Sequence, residues 1–220
     1  MIFAKIDFIN LLPFYIYIKK NIRSSQTKAI INYKKSYPSK INKDFKKRKI
    51  DSAFISSIKS QNKKCTNIGI VAKKDVLSVL SINGEYNKDI QSDTSNILAQ
   101  VLNCNGKIII GDKALKYYYE NKNKDFIDLA EEWNIRYNLP FVFARLCFNK
   151  NGKIITEIAK EFTKNKVKIP QYILKRYSKK TNISTANILN YLDKISYDIN
   201  YKEEKSLKKF LKLSKKATSK

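Results

Sequence analysis

Short apolar segments and helical segments alternate over the first eighty residues, and this alternation limits the possible folds more than any other feature. Ile2–Phe8 has the residue pattern of a strand, and Asn10–Lys20 that of a helix with Pro13 in its first turn. Further strands are predicted over Lys28–Tyr33, Ser52–Ile55 and Ile68–Ala72, with a helix from Pro38 to Phe45. Such alternation is typical of an α/β fold, in which helices cover a parallel sheet.

The rest of the chain continues this pattern and then becomes helical. Strands are predicted over Val76–Ile82, Lys107–Ile110, Ile127–Leu129 and Leu139–Phe148. From Lys153 onward the periodicity is helical; Ser184 is predicted to cap a helix that extends to Ile195. No Gly/Ser/Pro-rich linker interrupts the sequence, so two sub-domains would have to be joined by strands.

Charge and composition exclude several kinds of catalysis. The chain has 45 Lys and Arg residues against 19 Asp and Glu residues, a net charge of +26, and no histidine. A Ser–His–Asp or Cys–His catalytic unit and a histidine-bound zinc are therefore excluded. Most of the basic residues are lysines spread along the chain, which favours a solvated surface over a nucleic-acid interface. The positive field would attract an anionic small molecule.

The cysteines and the N-terminus predict a cytoplasmic protein. Cys65, Cys104 and Cys147 are far apart and form no CxxC pair, so we expect structural thiols in a reducing compartment. The apolar stretch Ile2–Ile18 is interrupted by polar residues, is too short to cross a bilayer and is not followed by a signal-cleavage site. No stable membrane insertion is expected.

Four motifs occur in the order seen in one enzyme family. They are Asp7-Phe8-Ile9-Asn10-Leu11-Leu12-Pro13, Ser92-x-Thr94-Ser95, Ile110-Gly111-Asp112-x-Ala114-Leu115, and Asp128-Leu129-x-x-x-Trp133 followed by Leu139-Pro140-Phe141-Val142-Phe143-Ala144. Tyr191-Leu192, Ile195, Tyr197, Leu207 and Phe210 agree more loosely. In these motifs the chain resembles the chorismate dehydratases of menaquinone biosynthesis by the futalosine route.

The chain departs from the family pattern at three places. Tyr137-Asn138 stands where Thr-Gly is common, and Leu146 where a tryptophan is common. Asp93 stands inside the Ser-x-Thr-Ser motif, where a basic residue is frequent. The last change puts a carboxylate near an expected anion site.

The resemblance implies a fold like that of type II periplasmic binding proteins, with two α/β lobes joined by two crossing strands and a ligand cleft between them. Residues 1–75 plus 149–220 would form the first lobe, and residues 76–148 the second. Val76–Ile82 would cross outward and Leu139–Phe148 would cross back. Ligands of open α/β sheets bind at the carboxyl ends of strands, where several of the motif residues fall.

The resemblance also implies an activity. The expected enzyme is a hydro-lyase that removes water from chorismate to give 3-[(1-carboxyvinyl)oxy]benzoate, with no metal and no organic cofactor. Asn10 and Ser78 are the expected catalytic residues. Without histidine, we hypothesise substrate-assisted catalysis, in which a substrate carboxylate takes the proton while Asn10 and Ser78 hold the reacting geometry.

The remaining candidate residues would bind the substrate. Ser92, Thr94 and Ser95 at a helix start would hold one carboxylate, although ordinary N-capping explains the same pattern. Ser56 and Ser57 end a predicted strand, where a simple turn is the alternative. Asp112 opens a predicted helix and is as well explained by a cap.

Other functions remain open from sequence. The same fold would suit a 1,4-dihydroxy-6-naphthoate synthase or a non-catalytic protein that binds small anions. A different class, a surface that binds nucleic acid or anionic membranes, would depend on Lys46–Lys49 and on the basic tail from Lys205 to Lys220. We expect chorismate as the small dicarboxylate partner and no nucleic-acid partner, and the sequence does not predict the oligomeric state.

Overall fold

The structure is a computed structural model that describes residues 1–21, 32–121 and 125–218. Its strands are β1 Ile2–Lys5, β2 Asn32–Lys35, β3 Ser52–Ser56, β4 Cys65–Ala72, β5 Val79–Ile82, β6 Lys107–Ile110, β7 Phe126–Asp128, β8 Phe141–Phe148 and β9 Ile195–Asp198. Its helices are α1 Leu12–Asn21, α2 Pro38–Lys46, α3 Asp93–Val101, α4 Gly111–Glu120, α5 Leu129–Tyr137, α6 Gly152–Lys164, α7 Gln171–Thr181, α8 Thr185–Asp193 and α9 Tyr201–Thr218. Short 3-10 turns cover Ile9–Leu11 and Ser57–Lys59.

The strands form two sheets. The larger has six strands in the order β2-β1-β3-β8-β4-β9, and the smaller has three in the order β6-β5-β7. The predicted parallel arrangement is confirmed for β1, β2 and β3, whereas β8 lies between β3 and β4 and runs antiparallel to both. We call the elements around the six-stranded sheet the larger lobe and those around the three-stranded sheet the smaller lobe.

The chain leaves the larger sheet after Ala72 and returns to it at Phe141. Strand β8 is paired from Phe141 to Phe148 with strands of the larger sheet. The boundaries at residues 75/76 and 148/149 stay a prediction. The two connections between the lobes join the larger sheet at adjacent strands, one leaving from β4 and the other returning to β8.

The predicted strand Val76–Ile82 begins three residues late, at Val79. The reason is local: Asp128 Oδ2 accepts hydrogen bonds from the amides of Val76 and Leu77, at 2.9 and 2.6 Å. These bonds turn the backbone, and Leu77 has a left-handed φ of 57°, which only glycine adopts without strain. The strand can therefore start only after this turn.

One further expectation differs, near the C-terminal end of the chain. The helix that Ser184 caps ends at Asp193, and Ile195 instead begins β9, which pairs with β4 at the edge of the larger sheet. An edge strand of four residues, Ile195–Asp198, has too short a pattern to separate from the helices around it. Most of the predicted strand Lys28–Tyr33 lies outside the described residues.

The expectation of three structural thiols is wrong. Strands β4 and β8 bring Cys65 and Cys147 into register, with their Cα atoms 3.8 Å apart, and the two residues form a disulfide. Only Cys104 is free, and it is buried. Sequence spacing could not reveal this pair, because the two residues are 82 positions apart and meet only through the position of β8 in the sheet.

The basic C-terminal helix α9 is part of the fold. Its Phe210 is fully buried and contacts the rings of Trp133 and Phe141, with centroids 6.1 and 5.0 Å apart. Ser206 on the same face accepts a hydrogen bond from the Trp133 indole at 3.0 Å. The apolar face is therefore covered by protein rather than free for a membrane. Among the described residues, no helix combines the length and apolarity needed to span a bilayer.

Candidate active site

A cavity with an open mouth lies between the two lobes. The larger lobe contributes Ile6, Phe8, Asn10, Leu11, Pro38, Phe54, Ser56, Ile70, Phe143 and Ala144. The smaller lobe, with the chain that enters it, contributes Val76, Ser78, Val79, Ser92, Ser95, Ile110 and Gly111. None of these described lining residues has a charged side chain. The described side chains of this lining therefore supply no full charge to the cavity.

Five of the eight predicted site residues line this cavity: Asn10, Ser56, Ser78, Ser92 and Ser95. The other three, Ser57, Thr94 and Asp112, do not. They instead make hydrogen bonds around it, two of them between the lobes. The strand ends and helix starts that carry the motifs face each other across this cavity, where the two lobes meet.

Asn10 is held at the cavity by its neighbours in the fold. Its backbone carbonyl accepts a hydrogen bond of 2.6 Å from the hydroxyl of Tyr197 on β9. The preceding amide, that of Ile9, donates to Asp112 Oδ1 at 3.0 Å. The side-chain oxygen of Asn10, Oδ1, is buried and has no hydrogen-bond partner among the residues that the structure describes. A buried amide oxygen without a partner is a position where a ligand donor fits.

Ser78 also lines the cavity, directly before β5. Its hydroxyl is 2.8 Å from the hydroxyl of Tyr191 on α8, and its carbonyl accepts from the amide of Gly111 at 2.8 Å. Tyr191 is 1% exposed. The strained turn at Leu77 and the bond to Gly111 fix the backbone of Ser78, so its hydroxyl has a defined position.

Ser92 and Ser95 begin α3, as the sequence predicts. The Ser92 hydroxyl accepts from the amide of Ser95 at 3.1 Å and donates to the Ser95 hydroxyl at 2.8 Å. The capping interpretation is therefore correct for Ser92, and it is compatible with a place in the cavity wall. The start of α3 brings partial positive charge to the cavity without a cationic side chain.

Thr94 and Asp93 point away from the cavity and join the lobes. The Thr94 hydroxyl accepts a hydrogen bond of 3.3 Å from the amide of Ile58 in the larger lobe. Asp93 pairs with Lys59, with a nitrogen–oxygen distance of 3.9 Å. The unusual carboxylate of the Ser-x-Thr-Ser motif is therefore an exposed inter-lobe partner of a lysine and does not line the cavity.

The two serines at the end of β3 have different surroundings. Ser56 lines the cavity, and its hydroxyl accepts from the side-chain amide of Asn42 at 2.8 Å. Ser57 is fully buried, and its hydroxyl donates to the carbonyl of Val142 in β8. Ser57 thus ties β3 to the returning strand.

Asp112 has an unusual electrostatic environment beside the cavity. Burial raises the pKa of its carboxyl from 3.8 to about 6, although the hydrogen bond from the Ile9 amide and the charge of Lys180 act in the opposite direction. The carboxyl connects α4 of the smaller lobe to the segment that carries Asn10. Asp112 therefore contacts the backbone that positions a site residue.

Sequence reasoning did not assign the two tyrosines that hold Asn10 and Ser78. Tyr191 and Tyr197 belong to the looser C-terminal part of the family pattern, which was the available signal. The contact of Tyr197 depends on β9 lying next to the 3-10 turn that carries Asn10, 187 positions away in sequence. Nothing in local spacing predicts that contact.

Comparison with solved structures defines the class of fold. Protein AF1704 from Archaeoglobus fulgidus superposes with a TM-score of 0.70 over 100% of this chain and 98% of its own, at 9% identity. The periplasmic aliphatic sulphonate binding protein SsuA from Escherichia coli gives 0.59 over 100% and 87%, at 11% identity. The Candida albicans CA3427 product, described as having the generic periplasmic binding protein fold, gives 0.54 over 98% and 90%, at 9% identity. The predicted periplasmic-binding-protein-like fold is confirmed.

Comparison of sequences defines the family. A family model described as menaquinone biosynthesis matches residues 80–216. The chorismate dehydratase of Campylobacter jejuni subsp. jejuni serotype O:23/36 (strain 81-176) is 48% identical over 219 residues, which cover 98% of this chain and 98% of that protein. The chain belongs to this menaquinone-biosynthesis family, and the predicted resemblance is confirmed.

Proposed function

We propose that the protein is a chorismate dehydratase. The observation that carries this proposal is the 48% identity to a chorismate dehydratase over almost the whole of both chains. The inter-lobe cavity supports it, because it offers hydroxyls, an amide and a helix start to a small polar ligand. We infer a cytoplasmic enzyme that works in menaquinone biosynthesis without a cofactor.

The reaction removes a proton and a hydroxyl group from neighbouring ring carbons. The proton leaves the carbon that bears the enolpyruvyl ether, and the electron pair of that C–H bond forms a new double bond as the adjacent C–O bond breaks. The hydroxide and the proton together make one water molecule, and the ring becomes aromatic. Aromatisation supplies the driving force, so the protein mainly has to select and hold the reacting conformation.

A substrate carboxylate is the proposed proton acceptor. The described residues that line the cavity include no carboxylate, amine or imidazole that would act as a base. The carboxylate of the enolpyruvyl group lies close to the proton in the substrate itself. Asn10 and Ser78 are the proposed catalytic residues, which would contact the leaving hydroxyl and hold this arrangement.

The other carboxylate would bind at the start of α3. Ser92 and Ser95 line the cavity there, and the helix start provides partial positive charge next to their hydroxyls. Ser56 at the end of β3 would make a further polar contact from the larger lobe. This arrangement binds a dianion with neutral groups, while the +26 chain provides long-range attraction.

The test is incubation of the purified protein with chorismate, with aromatisation followed by ultraviolet absorbance and the product identified by mass spectrometry. We expect conversion to 3-[(1-carboxyvinyl)oxy]benzoate. Asn10→Ala should lower kcat by ~100-fold or more with little loss of folding stability. Asn165→Ala, at an exposed asparagine after α6, is the matched control and should keep full activity. Chorismate left unchanged by the wild type would refute the proposal.

The carboxylate site is tested separately. Ser95→Ala removes a hydroxyl at the start of α3, where we expect binding rather than chemistry. The variant should raise KM by ~10-fold and change kcat much less, because a hydrogen bond to a charged group contributes roughly 1.5 to 3 kcal/mol. A loss confined to kcat would contradict this assignment.

A further inference from the structure

Tyr191 contacts both proposed catalytic residues from the side away from the cavity. Its hydroxyl is 2.8 Å from the Ser78 hydroxyl, and the side-chain amide of Asn10 lies next to it as well. Asn10 and Ser78 line the cavity, whereas Tyr191 does not. The buried Tyr191 hydroxyl on α8 therefore links Asn10 of the larger lobe with Ser78, which lies on the segment that enters the smaller lobe.

The hydrogens of this cluster can be assigned by counting donors. Burial raises the pKa of the Tyr191 hydroxyl, so it stays protonated and has one hydrogen to donate. Asn10 Oδ1 has no hydrogen-bond partner among the described residues, so Asn10 faces Tyr191 with its amide nitrogen, which can only donate. The tyrosine hydrogen is then directed to the Ser78 oxygen, the other polar atom at hydrogen-bond distance.

This arrangement of hydrogen bonds determines which polar atoms of Asn10 and Ser78 face the cavity. With its nitrogen committed to Tyr191, Asn10 presents its oxygen, Oδ1, which is the buried atom without a partner. With its oxygen accepting from Tyr191, Ser78 has its own hydrogen free to point into the cavity. The pair thus offers one acceptor and one donor to the ligand.

We propose that Tyr191 is a positioning residue that orients the Asn10 amide and the Ser78 hydroxyl, so that Asn10 accepts from and Ser78 donates to the departing hydroxyl group of the substrate. The inference uses the proposed function for its substrate, but its hydrogen-bond network does not depend on it. Donation by Ser78 stabilises the negative charge that develops on the leaving oxygen. Acceptance by Asn10 holds the hydrogen of the same hydroxyl group.

The test is Tyr191→Phe, which keeps the buried ring and removes only the hydroxyl. We expect kcat for chorismate to fall by ~10- to 100-fold with a small change in KM, because misoriented groups weaken the transition state more than the bound substrate. Tyr119→Phe is the matched control. Its hydroxyl donates to the carbonyl of Asn187 on the same helix α8, at 3.1 Å, but does not reach the cavity.

A double-mutant cycle with Ser78→Ala separates positioning from a general structural effect. If Tyr191 acts through Ser78, its loss costs clearly less in the Ser78→Ala background than in the wild type. The same factor in both backgrounds, or an equal loss in Tyr119→Phe, would overturn the proposal.

A spectroscopic measurement decides the network even if the wild type proves inactive on chorismate. The side-chain amide signals of Asn10 in a 15N-labelled protein are assigned by their disappearance in Asn10→Asp. We expect them to shift in Tyr191→Phe and to stay in place in Tyr119→Phe. Unshifted signals in Tyr191→Phe would overturn the positioning role, whereas shifted signals with an inactive wild type would reject only the proposed substrate.

Discussion

The carboxyl of Asp112 is hydrogen-bonded to the Asn10 segment, because it accepts from the amide of Ile9 at 3.0 Å. Asp7 and Lys180 are also near, but they pair with each other at 2.9 Å on the outside of this segment. Asp7 is further held by the hydroxyl of Tyr177 at 2.7 Å, and this bond and its basic neighbours lower its pKa despite burial. These two neighbouring carboxyls therefore have pKa values that are shifted in opposite directions.

Asp112 should make stability depend on pH. Since burial raises its pKa from 3.8 to about 6, the folded chain binds this proton more tightly than the unfolded chain. The resulting stabilisation is complete below pH 4 and is lost as the pH rises from about 4 to about 6. Asp112→Asn keeps an oxygen for the Ile9 amide and removes the titration. The free energy of unfolding of the wild type should fall by roughly 2 to 3 kcal/mol relative to that of this variant over that interval.

Urea unfolding at several pH values measures this difference. Comparing two chains that differ at one position cancels the contributions of all other carboxyls to first order. A difference in unfolding free energy that is constant from pH 4 to pH 7 would contradict the raised pKa.

At the scale of single elements, Asp128 joins two segments of the smaller lobe. Its Oδ1 accepts from the amides of Ala130 and Glu131 and caps α5, while its Oδ2 accepts from the amides of Val76 and Leu77. The same carboxyl therefore starts a helix and fixes the turn before Ser78. The fourth sequence motif includes this residue for a structural reason.

Asp128→Asn should destabilise the fold. An asparagine can accept through one oxygen only, so its NH2 group would face two buried amide donors. We expect a loss of about 3 kcal/mol in the free energy of unfolding, measured by thermal or urea denaturation. Asp93→Asn is the control, because its exposed ion pair with Lys59 contributes less than about 1 kcal/mol. Equal losses in the two variants would be inconsistent with this role.

Local residue patterns predicted the helices and strands well, but they did not predict which distant segments these contact. The apolar strands, the Ser92 cap and the Pro38 helix follow from residue spacing and capping chemistry, which act within a few residues. The late start of β5 and the strand β9 do not, because each depends on a bond to a distant segment. The same holds for the site. The serines that line the cavity were predicted from the sequence, whereas the role of Tyr191 was not, because α8 reaches the site only in the folded chain.

At the scale of the whole molecule, hydrogen bonds join the lobes on more than one side of the cavity. Ser39 in α2 donates through its amide to the carbonyl of Gln91 and through its hydroxyl to that of Ile90, at 3.0 and 2.9 Å. Across the site, the amide of Ile9 donates to Asp112. These contacts hold the lobes together around a cavity that keeps an open mouth.

The disulfide gives a prediction for the intact molecule. Cells lysed in the presence of an alkylating agent, followed by denaturation without reductant, should yield a protein with one alkylated thiol, that of Cys104. Reduction before alkylation should yield three. Three alkylated thiols without reduction would show that Cys65 and Cys147 are not bonded in the cell.

The position of the Cys65–Cys147 disulfide determines whether a single proteolytic cut releases a fragment. Cys65 and Cys147 stand at the far ends of β4 and β8 from the inter-lobe connections, so the stretch between them, 82 positions long, contains the entire smaller lobe. This stretch is a covalent ring. A protease that cuts once anywhere inside it opens the ring but releases no piece, and the nicked protein keeps its mass on a non-reducing gel. Adding a thiol to the denatured sample would then separate two fragments.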